Sequence, residues 1–159
     1  MLLGIPIGYS SPHTLTDKSI KIMEGEKGDV SILKPTVIIA VPLILDRLYK
    51  GIQMNVKTRG PSFEQFFKAC VNYKRNWETR GFRTPVMDAI IFRKLRAVLG
   101  GRVRVAFCGG APVSKEVQEY LRICLSAKMI QGYGLTECGG AIACSYDYDI
   151  RYNRIHTVK

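Results

Sequence analysis

Apolar positions along the chain follow two periods. Thr36-Val37-Ile38-Ile39-Ala40-Val41 is an unbroken β-branched and apolar run, the pattern of a strand buried on both faces of a parallel sheet. Pro42 follows it, and proline suits the first turn of a helix, where its missing N–H costs nothing. Leu45, Leu48, Tyr49 and Ile52 then recur at i, i+3, i+4 and i+7, the inner stripe of an amphipathic helix. Gly60-Pro61 breaks the pattern, and Ser62-Phe63-Glu64-Gln65 matches a capping box. A second helix is expected to bury Phe63, Phe66, Phe67, Cys70 and, a heptad on, Trp77, and to end at Gly81. Thr84-Pro85 predicts a third, capped by the threonine and ended by Gly100-Gly101. Its stripe is Met87, Ile90, Ile91, Leu95 and Val98. No strand separates these two helices, so they look like an insertion into an α/β frame.

Either side of that insertion strands and helices alternate. Gly4 to Tyr9 reads as a short strand, Thr16 to Met23 as a short helix, and Glu24 to Asp29 as a polar turn. Val103 to Cys108 is a strand, Gly109-Gly110-Ala111-Pro112 a tight turn, and Ser114 the cap of a helix with Glu116 in its first turn. Val117, Tyr120, Leu121, Cys124 and Leu125 are that helix's stripe, and Lys128 to Gln131 is a short strand leading into Gly132-Tyr133-Gly134-Leu135-Thr136-Glu137. Strand, helix and strand make a βαβ unit. Ala141 to Ser145 suggests one more strand, and the polar stretch from Tyr146 onward shows no period.

Composition narrows the class. The 159 residues are 47% hydrophobic and 23% charged, too apolar for a disordered chain. The longest apolar run, Val37 to Leu45, contains Pro42 and is about half of the ~20 residues a membrane-spanning helix needs. Met1-Leu2-Leu3 has no basic n-region or long apolar stretch of a signal peptide. Five cysteines without a CxxC pair, and two histidines, outline neither a zinc site nor a disulfide framework. Charge is uneven: residues 46–104 carry fourteen Lys/Arg against four Asp/Glu, most of the net +11. Such a balance attracts polyanions, but these cations interleave with core-spaced apolar residues, as on the solvated faces of amphipathic helices.

The two glycine segments carry the candidate chemistry. Each follows a strand of one βαβ unit, at the carboxyl edge where open α/β sheets bind ligands. A nucleotide needs a slot for its base, donors for phosphate oxygens and an acidic group for Mg²⁺. Gly109-Gly110-Ala111 supply a slot rim without bulky side chains, Tyr133 a stacking face, Thr136 a hydroxyl and Glu137 a carboxylate. Singly each of these is an ordinary turn, core aromatic or solvated acid; the joint string at this spacing is far more specific.

Gln131 to Glu137 together with Gly109 to Ser114 resembles the adenylate-forming superfamily of acyl-CoA synthetases, acyl-activating modules and beetle luciferases. Gly8-Tyr9-Ser10-Ser11-Pro12, the Lys34-Pro35-Thr36 strand with Val41-Pro42, and the helical insertion are similar to eukaryotic long-chain acyl-CoA synthetases. The resemblance implies an α/β fold: part of the N-terminal, AMP-binding domain over residues 1–145, with a parallel βαβ sheet, a helical insertion at about 55–100, and a divergent tail over 146–159. It implies that a fatty-acid carboxylate attacks the α-phosphorus of ATP, releasing pyrophosphate, and that the CoA thiol then displaces AMP. By the match, Gly109, Gly110, Ala111, Gln131, Gly132 and Tyr133 line the adenine slot. Thr136 meets the α-phosphate, and Glu137 holds Mg²⁺. Val41, Pro42, Gly134 and Leu135 border the acyl tunnel. The implied partners are ATP, coenzyme A and a long-chain fatty acid, with peripheral membrane contact and no nucleic acid. The implied location is the endoplasmic reticulum or another intracellular membrane, facing the cytosol.

The family's Ser/Thr/Gly-rich phosphate loop, ribose-binding Asp and adenylation lysine find no match in these residues, so an internal piece of a roughly fourfold longer enzyme is expected. Other readings are a truncated, non-catalytic isoform that binds nucleotide or acyl-CoA, and a basic nucleic-acid-binding module. Incubated with ATP, CoA and palmitate, the 159-residue chain alone is expected to form no acyl-CoA; robust turnover refutes this.

Overall fold

The computed structural model describes residues 4–17, 19, 21–145 and 156–157. Among the described residues six helices and five strands run in the order α1 (Asp29–Leu33), β1 (Val37–Ala40), α2 (Pro42–Lys57), α3 (Pro61–Thr79), α4 (Pro85–Ile90), α5 (Arg93–Ala97), β2 (Val105–Cys108), α6 (Lys115–Leu125), β3 (Lys128–Leu135), β4 (Gly140–Cys144) and β5 (His156–Thr157). A single 3₁₀ turn, Thr136–Cys138, joins β3 to β4. The sheet order is β1-β2-β3-β4-β5. The first three strands are parallel; β4 and β5 are antiparallel.

Helices stack on one side of this sheet. Ala106, Cys108, Met129 and Gln131 point to the packed side and are buried, covered by α2 and α6. Leu45, Ile52 and Val56 line the inner face of α2, and Val117, Leu121, Cys124 and Leu125 that of α6. The insertion, α3 to α5, packs behind these two helices, with Phe67 against Phe92 at 5.9 Å between ring centres. β1 differs from its expected burial: its helix-facing residues are half-buried and the other face is open. A β-branched run reports a strand but not how many layers cover it.

Other departures are local. Gly4 to Tyr9 forms no strand, and the described residues between Thr16 and Met23 form turns; residues 18 and 20 lie outside the described set. Asp29 accepts from the Ser10 and Thr14 hydroxyls, and these bonds hold its carboxyl below the usual carboxylate range. Asp17 accepts from the Gly28 amide. The loop is thus held by side-chain bonds that have no period. Instead of the Ser62 capping box, α3 starts at Pro61 after Gly60, whose φ of 103° is open only to glycine. Thr84 precedes Pro85 as expected but makes no side-chain cap bond. The third helix breaks at Ile91–Phe92, which rotates the stripe: Phe92 and Leu99 are buried while Ile90 and Val98 are exposed. Phe66 also faces solvent. Ser114 caps α6 as expected, accepting from the Val117 amide at 3.3 Å.

Lys74 was not expected in the core. It sits at i+7 from Phe67 on the buried stripe and is 0% exposed. Its ammonium donates to the Ile123 carbonyl at 2.8 Å, the Ser126 hydroxyl at 2.7 Å and the Asp88 carboxylate, and lies 4.6 Å from the Phe92 ring centre. One charge thereby joins α3, α4 and the end of α6. The Ile123 and Ser126 acceptors belong to the last turn of α6, where unpaired carbonyls favour a cation. Outside it, Arg75–Glu119 and Arg122–Glu78, both at 3.1 Å, continue the α3–α6 seam. Removing one partner of a buried pair costs about 3–5 kcal/mol, because the other is left uncompensated. Lys74→Met is therefore expected to lose stability on that scale in urea unfolding, and Lys68→Met, whose Glu64 pair is at the surface, to lose less than about 1 kcal/mol.

Candidate functional site

The pairing of β2 with β3 sets the two glycine segments side by side. Cys108, the last residue of β2, is level with Gln131. Gly109 therefore leaves the sheet beside Gly132: a Cβ built on Gly109 would stand 3.5 Å from the Gly132 carbonyl oxygen. Gly110 has a φ of 86°, the left-handed region glycine enters freely, and turns the chain toward Pro112 and the α6 cap.

Gly132 to Leu135 form strand where a turn was expected. β3 runs on past the end of β2 and pairs with β4: Gly132 with Cys144, Tyr133 with Ala143, Gly134 with Ala141 and Leu135 with Gly140. The step from Ala143 to Ala141 leaves Ile142 extra, a bulge beside Tyr133 and Gly134. Glycine at 134 has a steric cause, since a Cβ there would fall 1.8 Å from the Gly140 carbonyl oxygen. Thr136 and Glu137 lie in the 3₁₀ turn at the arm's tip, with Gly139 left-handed at its end.

Gly109, Gly132 and the arm bearing Tyr133, Thr136 and Glu137 thus converge on the carboxyl edge of the sheet. Tyr133 is 52% exposed, and Thr136 and Glu137 are exposed. The surface is open rather than enclosed. Gln131 stands apart: its side chain is buried on the helix side, in a small hollow shared with Leu45, Cys108 and Gln118. Its backbone is already engaged, the amide donating to the Ser145 hydroxyl at 2.9 Å and the carbonyl accepting from the Ser145 amide at 2.8 Å. Ser145 was not anticipated, and no period or motif marks it. Val41 and Pro42 stand at the carboxyl end of β1, with two strands' width between them and Gly134-Leu135.

Other features stand away from this edge. A cleft of about 400 Å³ opens between α2, α3 and α6, bounded by Gln53, Phe67, Arg75 and Tyr120, with Tyr49 donating to Glu116 at 2.5 Å. It contains none of the motif residues. Burial pushes the Cys108 thiol up to about 11 and the Cys124 thiol up to about 12, so neither is a nucleophile at neutral pH. Among the described residues no three His, Cys, Asp or Glu side chains cluster as a metal site, and no helix is long and apolar enough to cross a membrane.

The model of the AMP-binding enzyme family matches residues 1–158. The chain belongs to the AMP-binding enzymes. It is 44% identical over 153 residues to Long chain acyl-CoA synthetase 8 of Arabidopsis thaliana, covering 91% of this chain and 21% of that protein. It is 39% identical over 124 residues to Long chain acyl-CoA synthetase 1 of the same plant, covering 76% of this chain and 19% of that protein. The chain therefore spans about one fifth of the length of these relatives. Among solved structures it is similar to the A domain of carboxylic acid reductase from Segniliparus rugosus, in complex with AMP and a co-purified carboxylic acid. That similarity has a TM-score of 0.51 and 28% identity, and covers 73% of this chain and 15% of that one. The α/β architecture is that of the adenylate-forming fold.

Gly134→Ala tests the geometry of the arm. Forcing a methyl group into a closed contact costs about 1–3 kcal/mol; the β3–β4 amides are expected to lose hydrogen-exchange protection while α6 amides keep theirs. Gly139→Ala, with no atom within 4 Å of the new Cβ, bears only the backbone strain and is expected to lose less.

Proposed function

We propose that this sheet edge is the nucleotide side of a carboxylate-activating site, and that the activity it serves is ATP-dependent conversion of long-chain fatty acids to acyl-CoA. The observation that carries the reading is the apposition of Gly109 and Gly132 across the Cys108–Gln131 rung, with Tyr133, Thr136 and Glu137 on the arm beyond. Family membership and the long-chain synthetase relatives support the same chemistry.

The residues fit an adenine nucleotide. Gly109 and Gly110 leave backbone groups approachable along one side of the slot, Ala111 adds only a methyl, and the exposed ring of Tyr133 offers a stacking face. For Gln131 the fit lies in its place in the strand, because its amide side chain is buried under the helices. Thr136, exposed in the turn at the tip of the arm, offers a hydroxyl to an α-phosphate oxygen. Glu137 is a single carboxylate, which suits Mg²⁺, an ion held by one or two carboxylates with the substrate's own phosphates. When bound, Mg²⁺ supplies neutralisation of phosphate charge. The chain's own part is to position donors where charge develops as the carboxylate displaces pyrophosphate, and such positioned donors are the largest catalytic contribution in transfers of this kind. Val41-Pro42 and Gly134-Leu135 are assigned to the borders of the acyl tunnel, with coenzyme A as the acyl acceptor.

Calorimetric titration of the chain with ATP, with Mg²⁺ and with EDTA, tests the assignment. Saturable binding is expected, stronger with Mg²⁺. A hydrogen bond to a charged group contributes about 1.5–3 kcal/mol, so Thr136→Val is expected to weaken ATP binding about tenfold or more. Glu137→Gln is expected to abolish the difference between Mg²⁺ and EDTA. ATP binding indifferent to both substitutions overturns the assignment.

A further inference from the structure

The stretch from the end of α3 to the start of α5 gathers exposed apolar side chains and cations. Phe82 is 58% exposed, Val86 67% and Ile90 71%. Val86 and Ile90 stand four residues apart on α4, on the same side of the helix. Phe82 packs edge-on against Trp77 at 5.5 Å between ring centres, and Trp77 meets the exposed Tyr73 at 5.9 Å. Residues 79–104 carry seven Lys/Arg and one Asp/Glu. That single acid, Asp88, is already held by Lys74 and the Ser126 hydroxyl. Arg80, Arg83, Arg93 and Lys94 flank the apolar positions in sequence and are exposed. On α2 the cations Arg47, Lys50 and Lys57 alternate with buried Leu45, Ile52 and Val56. In this corner the apolar side chains are themselves in water.

We propose that this corner of the helical insertion, from Tyr73 to Lys94, is a docking surface for an anionic lipid bilayer, and that docking there turns the carboxyl edge of the sheet toward water. Cations near such a surface are drawn to its anionic headgroups, and the apolar side chains between them enter the boundary just below. Tyr and Trp suit that boundary, each an apolar ring with a polar end. Charge selects the sign of the partner, and the exposed aliphatic side chains select its kind. A nucleic acid offers phosphates, but its bases stack on aromatic faces and leave Val86 and Ile90 in water. A second copy of the chain sets like charges against each other, which electrostatic complementarity disfavours. Orientation follows from α6. Lys74 and Asp88 tie the corner to Ile123 and Ser126 at the last turn of that helix, whereas its first turn follows the Gly109–Pro112 bend. Eleven helical residues, about 16 Å at a rise of 1.5 Å each, separate the two ends. The docking rests on the insertion and not on the nucleotide reading.

Flotation of the 159-residue chain with two kinds of vesicle tests the proposal: phosphatidylcholine alone, and phosphatidylcholine with phosphatidylserine in equal parts. Binding is expected to the mixed vesicles, falling as salt rises, with little to phosphatidylcholine alone. Trp77 is the chain's single tryptophan, so its emission reports on the corner. A blue shift, and quenching by bromine placed on the acyl chains, are expected on docking. A dye on Cys138, exposed at the tip of the β3–β4 arm, is expected to escape that quenching. One cation near an anionic surface strengthens binding about fivefold, so Arg83→Glu combined with Arg93→Glu is expected to weaken it about tenfold or more. Val86→Ser combined with Ile90→Ser is expected to weaken it as far by removing the apolar part. Arg47→Glu, near the start of α2 at the carboxyl edge, is expected to leave binding unchanged. All five positions are exposed, and circular dichroism checks that each variant keeps its fold. Equal binding to both vesicles, no binding, binding indifferent to either double variant, or quenching of the Cys138 dye overturns the proposal.

Discussion

The rung that pairs Cys108 with Gln131 is the constraint on which the candidate site depends. Each strand ends or changes partner there. β2 gives way to the glycine turn, and β3 leaves its parallel neighbour to continue as one side of the β3–β4 arm. Slipping one strand past the other by one residue would turn that strand's core residue, Cys108 or Gln131, to the open face. It would also separate Gly109 from Gly132. Burial of Ala106, Cys108, Met129 and Gln131 under α2 and α6 holds the register, and Ser114 fixes where α6 begins.

Where the period was strong, the fold was legible. The β-branched run ending at Pro42 located β1 and α2 almost to the residue, and the strand–glycine–Ser114 sequence located β2 and α6. What escaped was set by tertiary contact. Phe92 displaces Ile90 from the core because the chain breaks between α4 and α5, and a single-helix stripe cannot foresee a change of axis. Lys74 looks like a solvated charge until Asp88, Ile123 and Ser126, far apart in sequence, are seen around it. The docking of residues 8–17 rests on hydroxyls and the carboxylates of Asp17 and Asp29, which carry no periodic signal.

The candidate site was legible as a set of residue types, less so as a shape. Glycines at 132 and 134 suggested a bend, whereas the chain there is extended. They look alike in the sequence but are not equally constrained. A Cβ on Gly132 would make only ordinary contacts, 3.9 Å from the Cys108 and Ala143 carbonyl oxygens, while Gly134 is required by the closeness of Gly140 on the returning strand. Gln131, part of the same string, is turned to the core by strand alternation. A motif read linearly gathers residues that the pleat sends to opposite sides.

The spacing of the sheet pairings bears on how the chain assembles. β2 and β3 meet across about twenty intervening residues, more than half of them in α6, whereas β1 meets β2 only after α2 to α5 have been spanned. Loop-closure entropy grows as the logarithm of the span, so the longer closure costs about 1 kcal/mol more. That entropy favours nucleation in the β2–α6–β3 unit, with β1 the late-arriving member. The strand with the most exposed apolar side chain is then also the one that waits longest for its neighbour.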